Sequence, residues 1–400
     1  MSNIKRFYLI GFLRNLYLYL PIATLYFLQR GISIEVILFS ATFYSLLQFL
    51  AEMPTGLFAD RYGQKASIIL GYIIEAMGIL TVILWPTSVG LYVCYALGGL
   101  SQAFLSGSEE ALIYESAKQE KKKYAKVYST FLSMQTWGMV MGGLVSALAT
   151  YVFGASSYVW LMAVTVLSLV ISAGLSSLHR AYGARISNPI EGSGMWIALR
   201  RSMKLIREND TVFNLTIGAA LTLGAEYYLL SAYQPIFIES HVPPAILGVA
   251  FSVGLALSAL LMSQMDFFER HVTLDKMILG VTLALSFGYA VIGFSFNPII
   301  VVLSFLLLRS LFEVTSPIVS DYINGHIPSD IRATTLSGIS LFSRMASFVQ
   351  RLLLTAAVAY GGVRFSLMSQ AVYLFLGGWI TYALFRRCGC IHRIKEGKRG

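Results

Sequence analysis

Apolar residues along this chain gather in windows of about twenty, the length of helix that crosses a bilayer. Short clusters of glycine, proline and charge separate the windows. They lie near 7–29, 34–58, 66–86, 89–115, 125–152 and 157–178 in the first part of the chain. After a polar stretch they resume near 211–235, 245–267, 273–295, 298–320, 332–359 and 364–386. The pattern predicts an all-α membrane protein with twelve transmembrane helices in two six-helix halves, 1–178 and 211–386. A basic linker, 179–210, carries Arg180, Arg185, Arg200, Arg201, Lys204 and Arg207, and a basic tail occupies 387–400.

Composition narrows the class. Hydrophobic residues make up 56% of the 400 and charged residues 12%, against about 25% charged in soluble domains. Mean hydropathy is +0.68. A soluble enzyme, a nucleic-acid-binding protein and a disordered scaffold are excluded, because such a fold would expose too much apolar surface. The net charge of +10 is a matter of topology. All the Lys and Arg except Arg14, Arg30, Arg309, Arg344, Arg351 and Arg364 fall on one side of the predicted spans. That asymmetry places both termini in the cytoplasm, beside anionic headgroups, with no nucleic-acid partner. The run from Phe7 has no small-residue cleavage site and reads as a first span, not a signal peptide. Cys94, Cys388 and Cys390 offer no disulfide framework and no metal-ligand spacing. The expected location is the cell membrane, multi-pass, in a bacterial inner membrane.

A parallel repeat is faintly visible. Asp60 and Asp266, Glu115 and Asp321, and Lys126 and Arg332 are each 206 residues apart. Two halves related by an axis along the membrane normal are one transporter architecture.

Between the second and third windows stands Gly56-Leu57-Phe58-Ala59-Asp60-Arg61-Tyr62-Gly63-Gln64-Lys65, preceded by Glu52-Met53-Pro54-Thr55. This resembles the signature loop of the major facilitator superfamily, Gly-x-x-x-Asp-Arg-x-Gly-x-Lys/Arg, with every defined position filled. The resemblance implies the twelve-span fold of that family, and it implies a gating role for the loop rather than substrate contact. Chemically, Gly56 permits close helix packing and Gly63 a tight turn. Asp60 can accept hydrogen bonds from a helix N-terminus or from an arginine of the other half. With Arg61 and Lys65 it can form an ionic latch; the competing reading makes Arg61 and Lys65 topology charges only. The second half holds a degraded copy near Asp266, Glu269, Arg270 and Lys276. Asp321 with Arg332, and Glu115 with Lys126, are expected as inner-side contacts between halves, or else as solvated loop charges. Two departures separate the chain from drug/proton antiporters of the family. Gly138-Met139-Val140-Met141-Gly142-Gly143-Leu144 has small-residue spacing, which favours close packing, but no proline. Tyr95 stands where many of those antiporters have arginine.

Ionisable groups within a bilayer cost about 2.5–3.5 kcal/mol each and usually carry function. Arg14 and Asn15 lie two turns into the first span, at the depth of Glu109 and Glu110 in the fourth. A pair between Arg14 and one of those glutamates is expected; adjacent helical residues point about 100° apart, so only one fits. Glu226 in the seventh span is followed by Tyr227 and Tyr228 and has no basic neighbour in its own span. Arg309 and Glu313 are four apart and can pair along one helix face. Arg344 and Arg351 share a face of the eleventh span, and Glu75 in the third has no evident role. The resemblance implies that spans one, four, seven and ten line the substrate route, with Arg14, Asn15, Arg309 and Tyr227 facing it; Arg344 of the eleventh span is a further candidate for the substrate cavity. Each charge is otherwise readable as a structural interhelical or intrahelical pair.

The expected function is secondary active transport by alternating access, with a small-molecule substrate, protons and membrane lipid as partners, in a monomer. No phosphate-binding loop is present, and the five histidines fall in loops or tail, so no enzyme, cofactor or metal is expected. Proton coupling falls to Glu226 and to Glu109 or Glu110, with Glu313 as a further carrier. Efflux of a small amphipathic organic compound, by antiport, is the leading direction. A symporter or exchanger for an anionic or zwitterionic solute, with Arg14, Arg309 and Arg344 as a charge clamp, is the alternative.

Overall fold

The computed structural model describes residues 2–179, 204, 207, 210–264, 272–326 and 329–387. Most of the linker, the tail and the degraded loop at Asp266, Glu269 and Arg270 lie outside the described residues. Every element among the described residues is helical. Among the described residues, seven stretches are long and apolar enough to cross a membrane. Two of these, Tyr124–Ser177 and Phe342–Arg387, are divided by glycines with positive φ, Gly154 at 57° and Gly362 at 78°. The chain separates into two compact units, Met1–Pro189 with Pro243–Ser252, and Ile190–Val242 with Val253–Gly400.

In the first unit the helices are α1 (Asn3–Arg14), α2 (Ala23–Gln29), α3 (Ile34–Tyr62), α4 (Gln64–Leu84), α5 (Ser88–Leu105), α6 (Ser108–Gln119), α7 (Tyr124–Phe153) and α8 (Ser157–Ser177). Helix α1 packs on α7 and α8, while α4 packs on α5 and α8. Ile4, Phe7, Ile10, Ile68, Tyr72, Leu112 and Phe131 form a shared core at one end. Side chains such as Tyr151, Phe153 and Trp160 point outward from α7 and α8, as a lipid-facing surface requires.

Two apolar windows differ from expectation. The first span is not one helix over 7–29. It starts at Asn3, stops at Arg14 and resumes through a 3-10 turn, Leu20–Ile22, into α2. Pro21 lacks the N–H that a continuous helix needs. The freed groups find other partners. Asn15 Nδ2 donates to Gly11 O at 3.0 Å, Leu18 N to Thr165 Oγ1 at 3.2 Å, and Ser168 Oγ to Leu13 O at 2.5 Å. The fourth span is also divided. Helix α5 ends at Leu105, and Gly107, at φ 76°, reorients the chain into α6. Backbone broken at membrane depth is tolerated only where such partners satisfy it.

The glycines of α7 make room for the break. A Cβ on Gly138 would lie 2.3 Å from Phe12 O, and one on Gly142 would lie 3.3 Å from the Tyr17 backbone. Gly143 meets the carbonyl of Gly248 at 2.9 Å in the same sense. The small-residue spacing therefore serves packing, as its sequence suggests. Gly56 differs: nothing lies within 4 Å of a side chain placed there, so close packing is not its role. Gly63, at φ 90°, makes the tight turn between α3 and α4.

The second unit contains α9 (Asp210–Glu239), α10 (Pro244–Ser263, shared with the first unit), α11 (Leu274–Phe294), α12 (Pro298–His326) and α13 (Ser329–Arg387, divided at Gly362). Helix α13 packs on α9 and α11. Arg364 ties the ends of three helices. Its Nε donates to Glu239 at 3.0 Å, Nη2 to Ser240 at 3.0 Å and Nη1 to Ser295 O at 2.6 Å.

Gly138→Ala should displace the Phe12 carbonyl and cost about 1–3 kcal/mol. Thermal melting of the purified protein would show it as a lowered midpoint, with Gly56→Ala close to wild type.

Candidate functional site

Each unit buries an arginine–carboxylate pair, and the two are built differently. In the first, Arg14 occupies the last turn of α1 and Glu109 the first turn of α6. A cation at a helix C-terminus and an anion at an N-terminus each complement the local dipole, so the two breaks place these charges where backbone already favours them. Arg14 Nη1 donates to both Glu109 oxygens, at 3.2 and 3.0 Å, and Nη2 donates to Gln102 Oε1 at 2.8 Å. Tyr72 Oη donates to Glu109 Oε1 at 2.6 Å, and its ring lies 5.7 Å from the guanidinium. Glu110 points elsewhere: Tyr124 Oη donates to it at 2.7 Å. Of the two candidate glutamates, Glu109 is the partner. Asn15, buried, donates its amide to the backbone at the break.

Glu75 belongs to the same network. Tyr17 Oη donates to its Oε1 at 2.5 Å and Ser101 Oγ to its Oε2 at 3.4 Å. Sequence reasoning left it without a role because its partners come from the non-helical segment of the first span, which no hydropathy window shows.

In the second unit Arg309 Nη1 on α12 donates to Glu226 Oε1 on α9 at 3.1 Å. Glu226 is therefore not an unpaired carboxylate, as its own helix suggested; its cation comes from another one. Arg309 is correspondingly engaged between helices. Its aliphatic stem lies over Gly254, where an added Cβ would stand 2.7 Å from Arg309 Cγ. Ser258 Oγ donates to Arg309 O at 3.1 Å. Arg344 is half-buried on α13, and Arg351 Nε donates to Ser347 O at 3.3 Å. The side chains of Tyr227, Glu313, Asp321 and Arg332 lie outside the described residues.

At the signature loop the groups separate. Asp60 is exposed and makes no hydrogen bond or ion pair among the described residues. Arg61 lies 5.3 Å over the Tyr62 ring. Lys65 Nζ donates to His179 O at 3.0 Å, and Arg6 Nη1 donates to Leu178 O at 2.5 Å, so both cap the end of α8. Glu115 keeps one buried carboxylate oxygen, Oε2, without a hydrogen-bond partner among the described residues. His179, just past α8, stacks on Phe7 at 4.2 Å. Burial, with Arg6 and Lys65 nearby, pushes its imidazole down to about 4. Among the described residues no group of His, Cys, Asp and Glu is arranged to hold a metal.

The Major Facilitator Superfamily model matches residues 7–351 of the chain. Among curated proteins, the chain is 23% identical over 352 residues to the uncharacterized MFS-type transporter YxaM of Bacillus subtilis (strain 168), covering 83% of each. Among solved structures it is similar to the nucleoside transporter NupG, with TM-score 0.79 and 12% identity over 96% of this chain and 100% of that one. It is also similar to a D-xylose-proton symporter, with TM-score 0.74 and 14% identity over 98% of each chain. At these identities the structural likeness is one of fold.

Arg14→Met should strand Glu109 without its cation and cost about 3–5 kcal/mol, while adding Glu109→Gln should restore most of the loss. Thermal melts of the two variants test the pair directly. A second expectation concerns acid. His179 binds its proton near pH 4 when folded but near 6.5 when unfolded. Between those values the unfolded chain holds more protons, so stability is full above pH 6.5 and falls as pH drops toward 4. The loss should reach about 3 kcal/mol at most. His179→Phe, which preserves the stack on Phe7, should flatten the melting midpoint across that range.

Proposed function

The chain belongs to the major facilitator superfamily, and from that premise we propose that it is a secondary active transporter driven by protons through alternating access. In this reading both termini are cytoplasmic and twelve spans cross the membrane in two halves. One observation carries the proposal. Each unit holds a buried Arg–Glu pair linking helices from separate spans, Arg14 with Glu109 and Arg309 with Glu226. A buried carboxylate is kept neutral overall either by its arginine or by a proton. Exchange of one for the other makes proton binding depend on conformation, which is what coupling requires. Glu109 and Glu226 are the coupling groups, and Arg14 and Arg309 the cations they release.

The same pairs favour a solute with polar or ionised groups. When an arginine is freed from its glutamate, each offers a charge-assisted hydrogen bond to a ligand. A zwitterion or a polyhydroxylated solute uses both, whereas an amphipathic efflux cargo uses neither fully. Uptake or exchange of a polar solute therefore stands ahead of drug efflux, and the nucleoside and D-xylose transporters of like fold set the first compounds to try. The loop at Asp60, Arg61 and Gly63 acts as the gating element.

The test is accumulation in proteoliposomes under an imposed pH gradient, with a panel of nucleosides, pentoses, dipeptides and lipophilic cations. Accumulation of a polar member supports the proposal; accumulation of the lipophilic cations alone, against the gradient of protons, returns the efflux reading. Glu226→Gln should abolish uphill accumulation while leaving downhill solute exchange. Undiminished uphill transport by that variant would remove Glu226 from the mechanism.

A further inference from the structure

Beside the Arg14–Glu109 pair the first unit places a further, half-buried carboxylate, Glu75. It lies one turn beyond Tyr72 on α4, so both side chains share a face, and that face meets the non-helical segment after Arg14. The charged and titratable groups that surround it are Arg14, Tyr17 and Tyr19 from the first span, Tyr72 on its own helix, Cys94 from α5 and Glu109 from α6. Among the described residues it makes no ion pair. Arg14 is the one cation in this set, and both its terminal nitrogens are committed, to Glu109 and Gln102.

One guanidinium cannot neutralise two carboxylates. Left ionised beside a completed pair, Glu75 would carry an uncompensated desolvation penalty. A proton removes that cost and suits the neighbours, since a carboxylic acid keeps an acceptor for Tyr17 Oη and gains a donor for Ser101 Oγ. We propose that Glu75 carries a proton while Arg14 is held by Glu109, and gives it up when Arg14 turns to it.

In that exchange Glu75 releases its proton as the guanidinium arrives. Glu109, left with Tyr72 Oη, takes a proton up. The number of ionised carboxylates stays at one, and the swing of one side chain becomes uptake at one site and release at another. Tyr17 is the positioning residue. It sits three residues from Arg14 in the broken segment and holds Glu75 directly, so the charge on Glu75 and the geometry of the break change together. This inference rests on the proton-driven reading above and adds a third carboxylate to it.

Infrared spectroscopy of the purified protein tests the protonation without reference to transport, and proteoliposomes test the coupling. A protonated-carboxyl stretching band is expected at neutral pH, lost in Glu75→Gln, retained in Glu226→Gln, and shifted in Tyr17→Phe. A pH gradient of one unit supports about tenfold accumulation for one proton per solute; in Glu75→Gln that ratio should fall to about one while solute exchange persists. A band unchanged by Glu75→Gln, or full accumulation by that variant, overturns the assignment. A wild-type protein that shows the band yet accumulates none of the panel overturns the proton-driven reading, and with it the coupling role of Glu75, while the protonation itself stands.

Discussion

Charge inside an apolar medium must be matched, and most of what is particular to this fold follows from that constraint. An isolated carboxylate or guanidinium taken out of water carries a penalty that packing cannot offset. Arg14 and Arg364 each meet it with several donors used at once, and Arg309 meets it with a charge-assisted bond to Glu226. The helices that present these residues are placed, and in the first unit interrupted, so that the matching is possible. An uninterrupted first span would put Arg14 in mid-helix, away from the favourable dipole it has at the end of α1.

The interruptions have their own requirements. A broken helix leaves backbone groups to satisfy, and here hydroxyls do it: Thr165 and Ser168 from α8 reach the segment after Arg14. It also needs space, which Gly138 and Gly142 supply by having no side chain where the Phe12 and Tyr17 backbone passes. The glycine run of α7 is thus explained by what it packs against. That makes the absence of a proline from Gly138–Leu144 intelligible, because the run accommodates a neighbour's bend and has no need of its own.

Hydropathy and motif carried the helical membrane class and the family, because both depend on properties summed over many residues. A pair between Arg14 and either Glu109 or Glu110 was legible from matching depths, whereas the choice of Glu109 depends on side-chain directions that only the structure gives. For Glu226 the partner stayed open, because a single helix shows only the charges it carries itself and Arg309 lies 83 residues away. Glu75 stayed without a role for a related reason: Tyr17 reaches it only because the first span unwinds, and an apolar window scores the same whether or not its backbone is continuous. Gly56 was assigned to packing from its residue type, whereas its surroundings are open. Lys65, readable as a gate or as a topology charge, is bonded to the end of α8 within its own unit.

The two units solve the same electrostatic problem with opposite polarity. In the first, arginine comes from the first span and glutamate from the fourth; in the second, glutamate lies on α9 and arginine on α12. Their surroundings differ too. Arg14 and Glu109 sit at helix ends beside a second carboxylate, in a set where one cation serves two acids. Arg309 and Glu226 lie within long helices, with Gly254 and Ser258 fixing the arginine's stem and backbone. A set with a surplus acid has an internal exchange available to it, since the cation can choose between two partners. On the proton-driven reading proposed above, the first unit can therefore pass a proton internally between Glu75 and Glu109.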